Sequence, residues 1–225
     1  MARPRLPKRL LWLFVIGASL FVPAGTLDWP QGWLFFAEFI GGMAVTGFWL
    51  KRHDPALFAE RMRNPRREAQ ALWDKVFMLA MALVWYGWII VIALDVKRWG
   101  LSHMPILWAV FGALLIPAGY LLVAYALKAN SFAATVVRLQ KERGQKVADG
   151  GPYASVRHPM YTGSVIIHLG TALLLGSWIG LGGVPLLAGM LAIRAILEER
   201  LLRAGLPGYA QYAARVRWRL IPLLW

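Results

Sequence analysis

Residues 76–94 read VFMLAMALVWYGWIIVIAL, and no position in that run carries a charge. A helix that crosses a bilayer needs about 20 mostly apolar residues. This run meets that length, and other runs on either side resemble it: residues 10–27, 31–50 (interrupted only by Glu38), 105–127 and 159–175. A sixth run, residues 184–197, stops at Glu198 and Glu199 and is short for a full crossing. The pattern predicts an all-α fold, a polytopic integral membrane helix bundle with about five spans plus a short C-terminal hairpin helix. Gly176, Gly180, Gly182 and Gly183 are expected to mark the hairpin turn. Gly41, Gly42, Gly112, Pro117 and Gly119 lie inside spans, where small residues allow close helix contacts and prolines allow kinks.

Composition narrows the function. The chain has 225 residues, of which 59% are hydrophobic and 16% charged, with 25 Lys and Arg against 11 Asp and Glu, a net charge of +14, and no Cys. Soluble domains carry roughly 25% charged residues. These values exclude a disordered chain, a disulfide scaffold, a cysteine-ligated metal site and a cysteine nucleophile. The positive charge sits beside runs of membrane length, so it reads as juxtamembrane charge and not as a nucleic-acid surface. No HxxxH pair, no G-x-S-x-G and no P-loop occur. The chain reads as one membrane domain over 1–225, with a four-span part at 1–128 and a ligand-binding part at 129–225.

Basic residues alternate between loops. Arg3, Arg5, Lys8 and Arg9 precede the first span; Lys51, Arg52, Arg61, Arg63, Arg66 and Arg67 follow the second. Arg138, Lys141, Arg143, Lys146 and Arg157 follow the fourth, and Arg200, Arg203, Arg215, Arg217 and Arg219 fill the tail. The opposite loops are poorer, with only Lys97 and Arg98 between residues 95 and 104. The positive-inside rule then expects both termini and the two long loops at the cytoplasmic face of the inner membrane. The basic start before the first apolar run is read as an uncleaved first helix, because further spans follow at once. Asp54 to Arg61 reads as an N-capped amphipathic helix on that surface.

Two constellations carry chemistry. The first is the loop before the fifth span, from Val147 through Gly150-Gly151-Pro152-Tyr153 to Arg157-His158-Pro159-Met160-Tyr161-Thr162-Gly163. Pro159 suits the first position of a helix, with His158 beside the cap. A helix start presents unpaired N–H groups and partial positive charge, and Arg157 and His158 add donors there, so the spot suits an anionic group such as a carboxylate. The same basic pair would also serve as a headgroup anchor. The second constellation is Arg194, Glu198 and Glu199, followed by Gly205, Tyr209 and Tyr212. Arg194 and Glu198 are four apart and share a helix face, which fits either a simple ion pair or a site for a cationic ligand. Ionisable residues at membrane depth are functional candidates by default. Glu38 and His168 are weaker candidates: the first reads as a buried partner or an interfacial acid, the second as a hydrogen-bonded helix histidine or a base.

Taken together, these stretches resemble the integral-membrane methyltransferases that include isoprenylcysteine carboxyl methyltransferase and phospholipid methyltransferases. The resemblance runs over roughly residues 120–223. It rests on Gly151-Pro152-Tyr153, Arg157-His158-Pro159 with Tyr161 and Gly163, Gly170-Thr171, Glu198-Glu199, and the closing Arg219-Leu220-Ile221-Pro222. It implies a cytoplasm-facing S-adenosylmethionine site lined by Val147, Tyr153, Arg157, His158, Pro159, Tyr161, Gly163, Glu198 and Glu199. The acceptor it implies is a lipophilic small molecule or a lipidated substrate, either a prenylcysteine-type carboxylate or a lipid amine or acid, with membrane lipids as the surrounding partner and the greasy part entering sideways between helices. Arg194 would orient a carboxylate acceptor; Glu198 or His168 would serve as base for an amine. Such a transfer is an in-line displacement that asks for alignment and exclusion of water, with no metal. Carboxyl methyltransferases tend to carry a His where this chain has Thr135, a departure that bears on the acceptor more than on the cofactor. Membrane sterol reductases share a similar arginine–histidine motif. They show Asn where this chain has Met160, and a different tail where it has Glu198-Glu199. A non-enzymatic membrane binding or assembly protein is the remaining alternative.

Overall fold

A computed structural model describes residues 8–62 and 72–225. Arg3, Arg5, Arg63, Arg66 and Arg67 lie outside the described residues. Among the described residues there is no β-strand, and the helices follow the apolar runs. They are α1 (Lys8–Ala24), α2 (Pro30–His53), α3 (Pro55–Met62), α4 (Leu72–Ala93), α5 (Ile106–Ala129), α6 (Pro159–Leu175), α7 (Trp178–Gly205) and α8 (Tyr209–Arg215). Helix α4 continues through a π-helical turn, Leu94–Trp99, before Gly100 ends it in the left-handed region at φ +62°.

Four of these helices are long and apolar enough to cross a membrane: Pro30–His53, Leu72–Trp99, Ile106–Ala129 and Trp178–Gly205. Helices α1 and α6 are the shorter apolar ones, at 17 residues each. The sixth element is therefore longer than its apolar run. It starts at Trp178 and holds 28 residues, about 42 Å at 1.5 Å per residue. Gly176 alone of the hairpin glycines makes the turn, at φ +82°. Gly180, Gly182 and Gly183 are helical, and Gly180 and Gly183 let Ile92 and Trp88 of α4 approach the α7 backbone. About 20 residues, enough for one crossing, separate the start of α7 from Glu198. The two glutamates thus stand where a span ends.

Each of the six apolar helices sends a fully buried side chain to the common core: Leu20, Phe35, Ile89, Ile116, Leu174 and Leu187, one from each of α1, α2, α4, α5, α6 and α7. Outward, Phe14, Val45, Leu83, Leu121 and Leu186 are exposed, an apolar exterior suited to lipid. Helices α5 and α6 make the closest contact, and glycines permit it. A Cβ on Gly119 would lie 2.7 Å from the Gly163 carbonyl oxygen, and one on Gly112 would lie 2.6 Å from that of Gly170. These two pairs, seven residues apart on antiparallel helices, let the backbones touch.

The two ends of the bundle differ. At one end Asp95 is fully buried and accepts from Ser102 Oγ at 2.6 Å and Ser177 Oγ at 2.5 Å; Ser177 also caps α7 by accepting from Gly180 N. At the other end lie α3, the loop 130–158, the end of α7 and the tail. Asp54 caps α3 by accepting from Leu57 N at 2.9 Å, as its sequence predicts. Glu60 of α3 then accepts from Arg138 at 2.6 Å and holds that loop down.

Candidate functional site

The loop 147–158 builds the polar end from local rules. Gly151 takes φ +55° and starts a short 3₁₀ turn, Gly151–Ala154, which buries Tyr153. Pro159 occupies the first turn of α6, matching the sequence reading, and His158, expected beside the cap, is the N-cap residue itself. The tail straps this corner. Arg157 N donates to Trp218 O at 2.9 Å, His158 N to Arg219 O at 2.9 Å, and Thr162 Oγ1 to Leu220 O at 2.6 Å.

The second constellation closes on the first. Glu199, 3% exposed, gathers cations on one carboxylate. Its Oε1 lies 3.1 Å from Arg157 Nε, 3.2 Å from His158 Nε2 and 3.2 Å from Arg219 Nε, and its Oε2 lies 3.8 Å from Arg203. Glu198 turns to the other side of His158. It accepts from Tyr161 Oη at 2.7 Å and lies 3.9 Å from His158 Nδ1, with 28% of its side chain exposed. The His158 ring stacks on Tyr161, centroids 5.3 Å apart. Adjacent glutamates therefore have different jobs: one neutralises a buried basic cluster, the other shows a carboxylate to open space.

That space is a cavity of about 610 Å³. Val147, Tyr153, Arg157, His158, Tyr161 and Glu198 line its polar end, with Arg194 beside them. Pro159, Gly163 and Glu199 do not line it. Pro159 starts α6, Gly163 faces α5, and Glu199 lies behind His158. The cavity continues along α6 into an apolar arm walled by Trp12, Phe39, Met81, Trp85 and Tyr120, with His168 also facing it. Phe39 stacks on Trp85 at 5.3 Å.

Arg194 does not rely on Glu198 for its ion pair. Its Nη2 donates to Asp74 at 3.3 Å and to Thr135 O at 2.9 Å, and the guanidinium lies 5.8 Å from the Tyr161 ring centroid. Asp74 is fully buried and also accepts from Val137 N at 3.1 Å. Arg194 thereby ties α4 and the 135–137 segment to α7 at the cavity wall, which Thr135, Val136 and Val137 also line. Sequence reasoning missed Asp74, Arg203 and the aromatic arm. Asp74 had a signal, being the acid that precedes the uncharged run 76–94 at its basic, loop-facing end. The arm had none, since its residues come from separate helices.

Burial controls the ionisation of this end. It pushes the Tyr153 phenol up to about 12, partly offset by a hydrogen bond from Asn130, and raises Tyr209 and Tyr212 as well. All three are neutral donors at pH 7. Burial lowers the Arg157 guanidinium, an effect that the Glu199 carboxylate counters. Tyr209 Oη is sealed and without a partner, and Tyr209 lines the cavity. Among the described residues no group of His, Asp and Glu could hold a metal ion.

No curated protein matches the chain. The model of the phospholipid methyltransferase family matches residues 107–206. That span runs from the start of α5 to the end of α7 and holds Arg157, His158, Arg194, Glu198 and Glu199. The part of this membrane protein that carries both constellations is accordingly similar to the phospholipid methyltransferase family.

Proposed function

We propose that the protein transfers a methyl group from S-adenosylmethionine to a lipophilic acceptor, with its polar end at the cytoplasmic face. One observation carries the reading: a single cavity joins a charged, tyrosine-rich end to an aromatic arm between the spans. Its volume, about 610 Å³, lies within the usual 300–1,000 Å³ of small-molecule sites. The donor set fits the cofactor. Glu198 offers a partly exposed carboxylate for an ammonium or for ribose hydroxyls. Arg157, the N-terminus of α6 and the orphaned Tyr209 hydroxyl offer donors for a carboxylate or a ring nitrogen.

The cofactor, when bound, supplies an electrophilic methyl group on a sulfonium. The protein has to orient and to exclude water. Val147, Tyr153, His158 and Tyr161 wall the polar end, and Glu199 and Pro159 hold Arg157 and His158 in place. The glycine contact of Gly163 with α5 sets the distance between α5 and α6. Arg194, fixed by Asp74 and Thr135, is positioned to orient a carboxylate acceptor. For an amine acceptor, Glu198 is the base within the cavity. The aromatic arm takes the apolar body of the acceptor directly from the bilayer.

The test is incubation of purified protein with radiolabelled S-adenosylmethionine and a membrane lipid extract, together with unfolding measured with and without S-adenosylhomocysteine. At 100 times its dissociation constant, that ligand adds about 2.7 kcal/mol of stability. A labelled lipid and a stabilisation are expected. Stabilisation by NADPH and none by S-adenosylhomocysteine would overturn the assignment.

A further inference from the structure

Helix α6 shows the cavity one stripe, Tyr161, Ser164, Ile167 and His168, at helical spacing. The stripe begins at the hydroxyl that holds Glu198 and ends in the apolar arm. His168 lies seven residues beyond Tyr161, about 10 Å along the axis and on the same face. Its ring packs edge-on against Trp88, centroids 5.6 Å apart. Its Nδ1 is sealed and unpartnered, and none of the described protein groups hydrogen-bonds Nε2. The neighbouring indole is already committed, since Trp88 Nε1 donates to Gly180 O at 2.8 Å, and so is the Tyr120 hydroxyl elsewhere in the arm, which donates to Phe39 O at 3.0 Å. An imidazole without partners is costly in an apolar setting, and none of its packing contacts needs a nitrogen.

We propose that His168 is a specificity residue of the apolar arm, hydrogen-bonding a hydroxyl group on the acceptor chain about 10 Å from the methylated end. The inference rests on the lipophilic-acceptor reading above and adds a chemical mark to that acceptor. A hydroxyl suits His168 better than a carbonyl does. A neutral imidazole nitrogen either donates or accepts, depending on the tautomer, and a hydroxyl answers both, whereas a carbonyl only accepts. A plain hydrocarbon chain would leave His168 unsatisfied, so the arm favours a chain that is functionalised part-way along over one that is not.

The experiment uses the full chain in lipid nanodiscs and three matched probes: stearic acid, 10-hydroxystearic acid and 2-hydroxystearic acid. Binding is read by quenching of tryptophan fluorescence, since Trp12 and Trp85 line the arm and Trp88 backs His168. The 10-hydroxy probe is expected to bind about tenfold tighter than stearic acid, the yield of one hydrogen bond to a buried group. The 2-hydroxy probe, whose hydroxyl stays at the polar end, is expected to gain nothing from His168. His168→Phe should erase the preference, so that stearic acid and 10-hydroxystearic acid bind alike. Equal binding of stearic and 10-hydroxystearic acid by the unmodified protein overturns the proposal without any variant, as does a preference that survives His168→Phe. S-adenosylhomocysteine affinity is measured on the same samples. Its absence would count against methyl transfer and leave the probe comparison standing, while equal probe affinities with intact cofactor binding would count against His168 alone.

Discussion

Replacing Glu199 by Gln separates the two adjacent glutamates by their consequences. Glu199 is 3% exposed and holds Arg157, His158 and Arg219 within 3.2 Å of one oxygen. Arg157 is itself only 6% exposed. Removing the negative charge leaves a buried guanidinium without its counterion, and breaking a buried pair from one side costs about 3–5 kcal/mol. Gln keeps the shape and one acceptor oxygen, so the lower figure, about 3 kcal/mol, is expected. For a domain of this size that is a fall of about 6–12 °C in Tm. Glu198→Gln is the control. Its side chain is 28% exposed and its hydrogen bond from Tyr161 survives in the amide, so the expected loss of stability is under about 1 kcal/mol. The ligand effects should invert, with Glu198→Gln weakening S-adenosylhomocysteine binding at least tenfold while Tm holds. Thermal unfolding in lipid–detergent micelles and ligand titration on the same samples read both quantities. A Glu199→Gln protein with a Tm within about 2 °C of the unmodified protein would refute the view that this carboxylate organises the basic cluster.

Further outcomes follow from the same geometry. Arg194→Ala should lower turnover more than cofactor affinity, because it removes the group bridging Asp74 and Thr135 at the cavity wall; steady-state kinetics against ligand titration reads the split. Gly119→Ala should destabilise by at least about 1–3 kcal/mol, since the new methyl would meet the Gly163 carbonyl at 2.7 Å; Gly41→Ala, with nothing within 4 Å, should be neutral or slightly stabilising. Stability should fall at high pH. The folded phenol of Tyr153 is raised from about 10 to about 12, so its contribution is fully present below pH 10 and lost as pH rises through 12; Tyr153→Phe should flatten that limb by about 2–3 kcal/mol in pH-dependent unfolding.

The helices were legible because lipid imposes a simple rule, enough apolar residues in a row. That rule underestimated α7. Its first turns, Trp178 to Gly183, are rich in glycine and weak in hydropathy, yet they are helical because α4 packs on them through Ile92 and Trp88. The glycines of α5 and α6 were readable as contact points, and their pairing as Gly112 with Gly170 and Gly119 with Gly163 needed the antiparallel register. The Arg157-His158-Pro159 corner and Glu198-Glu199 were both readable from local chemistry, a helix start and a pair of acids at a span end.

What the sequence could not do was distinguish one glutamate from its neighbour. Consecutive residues on a helix point about 100° apart, so which one meets the basic cluster and which one faces the cavity depends on how α7 is rotated against α6 and the tail. The partners of Arg194 likewise come from α4 and from a loop far along the chain. Composition and spacing therefore determined a membrane helix bundle with two polar constellations near one face. Tertiary packing decided that the constellations share one cavity and that an aromatic arm extends it, because contacts between remote helices leave no mark on local periodicity.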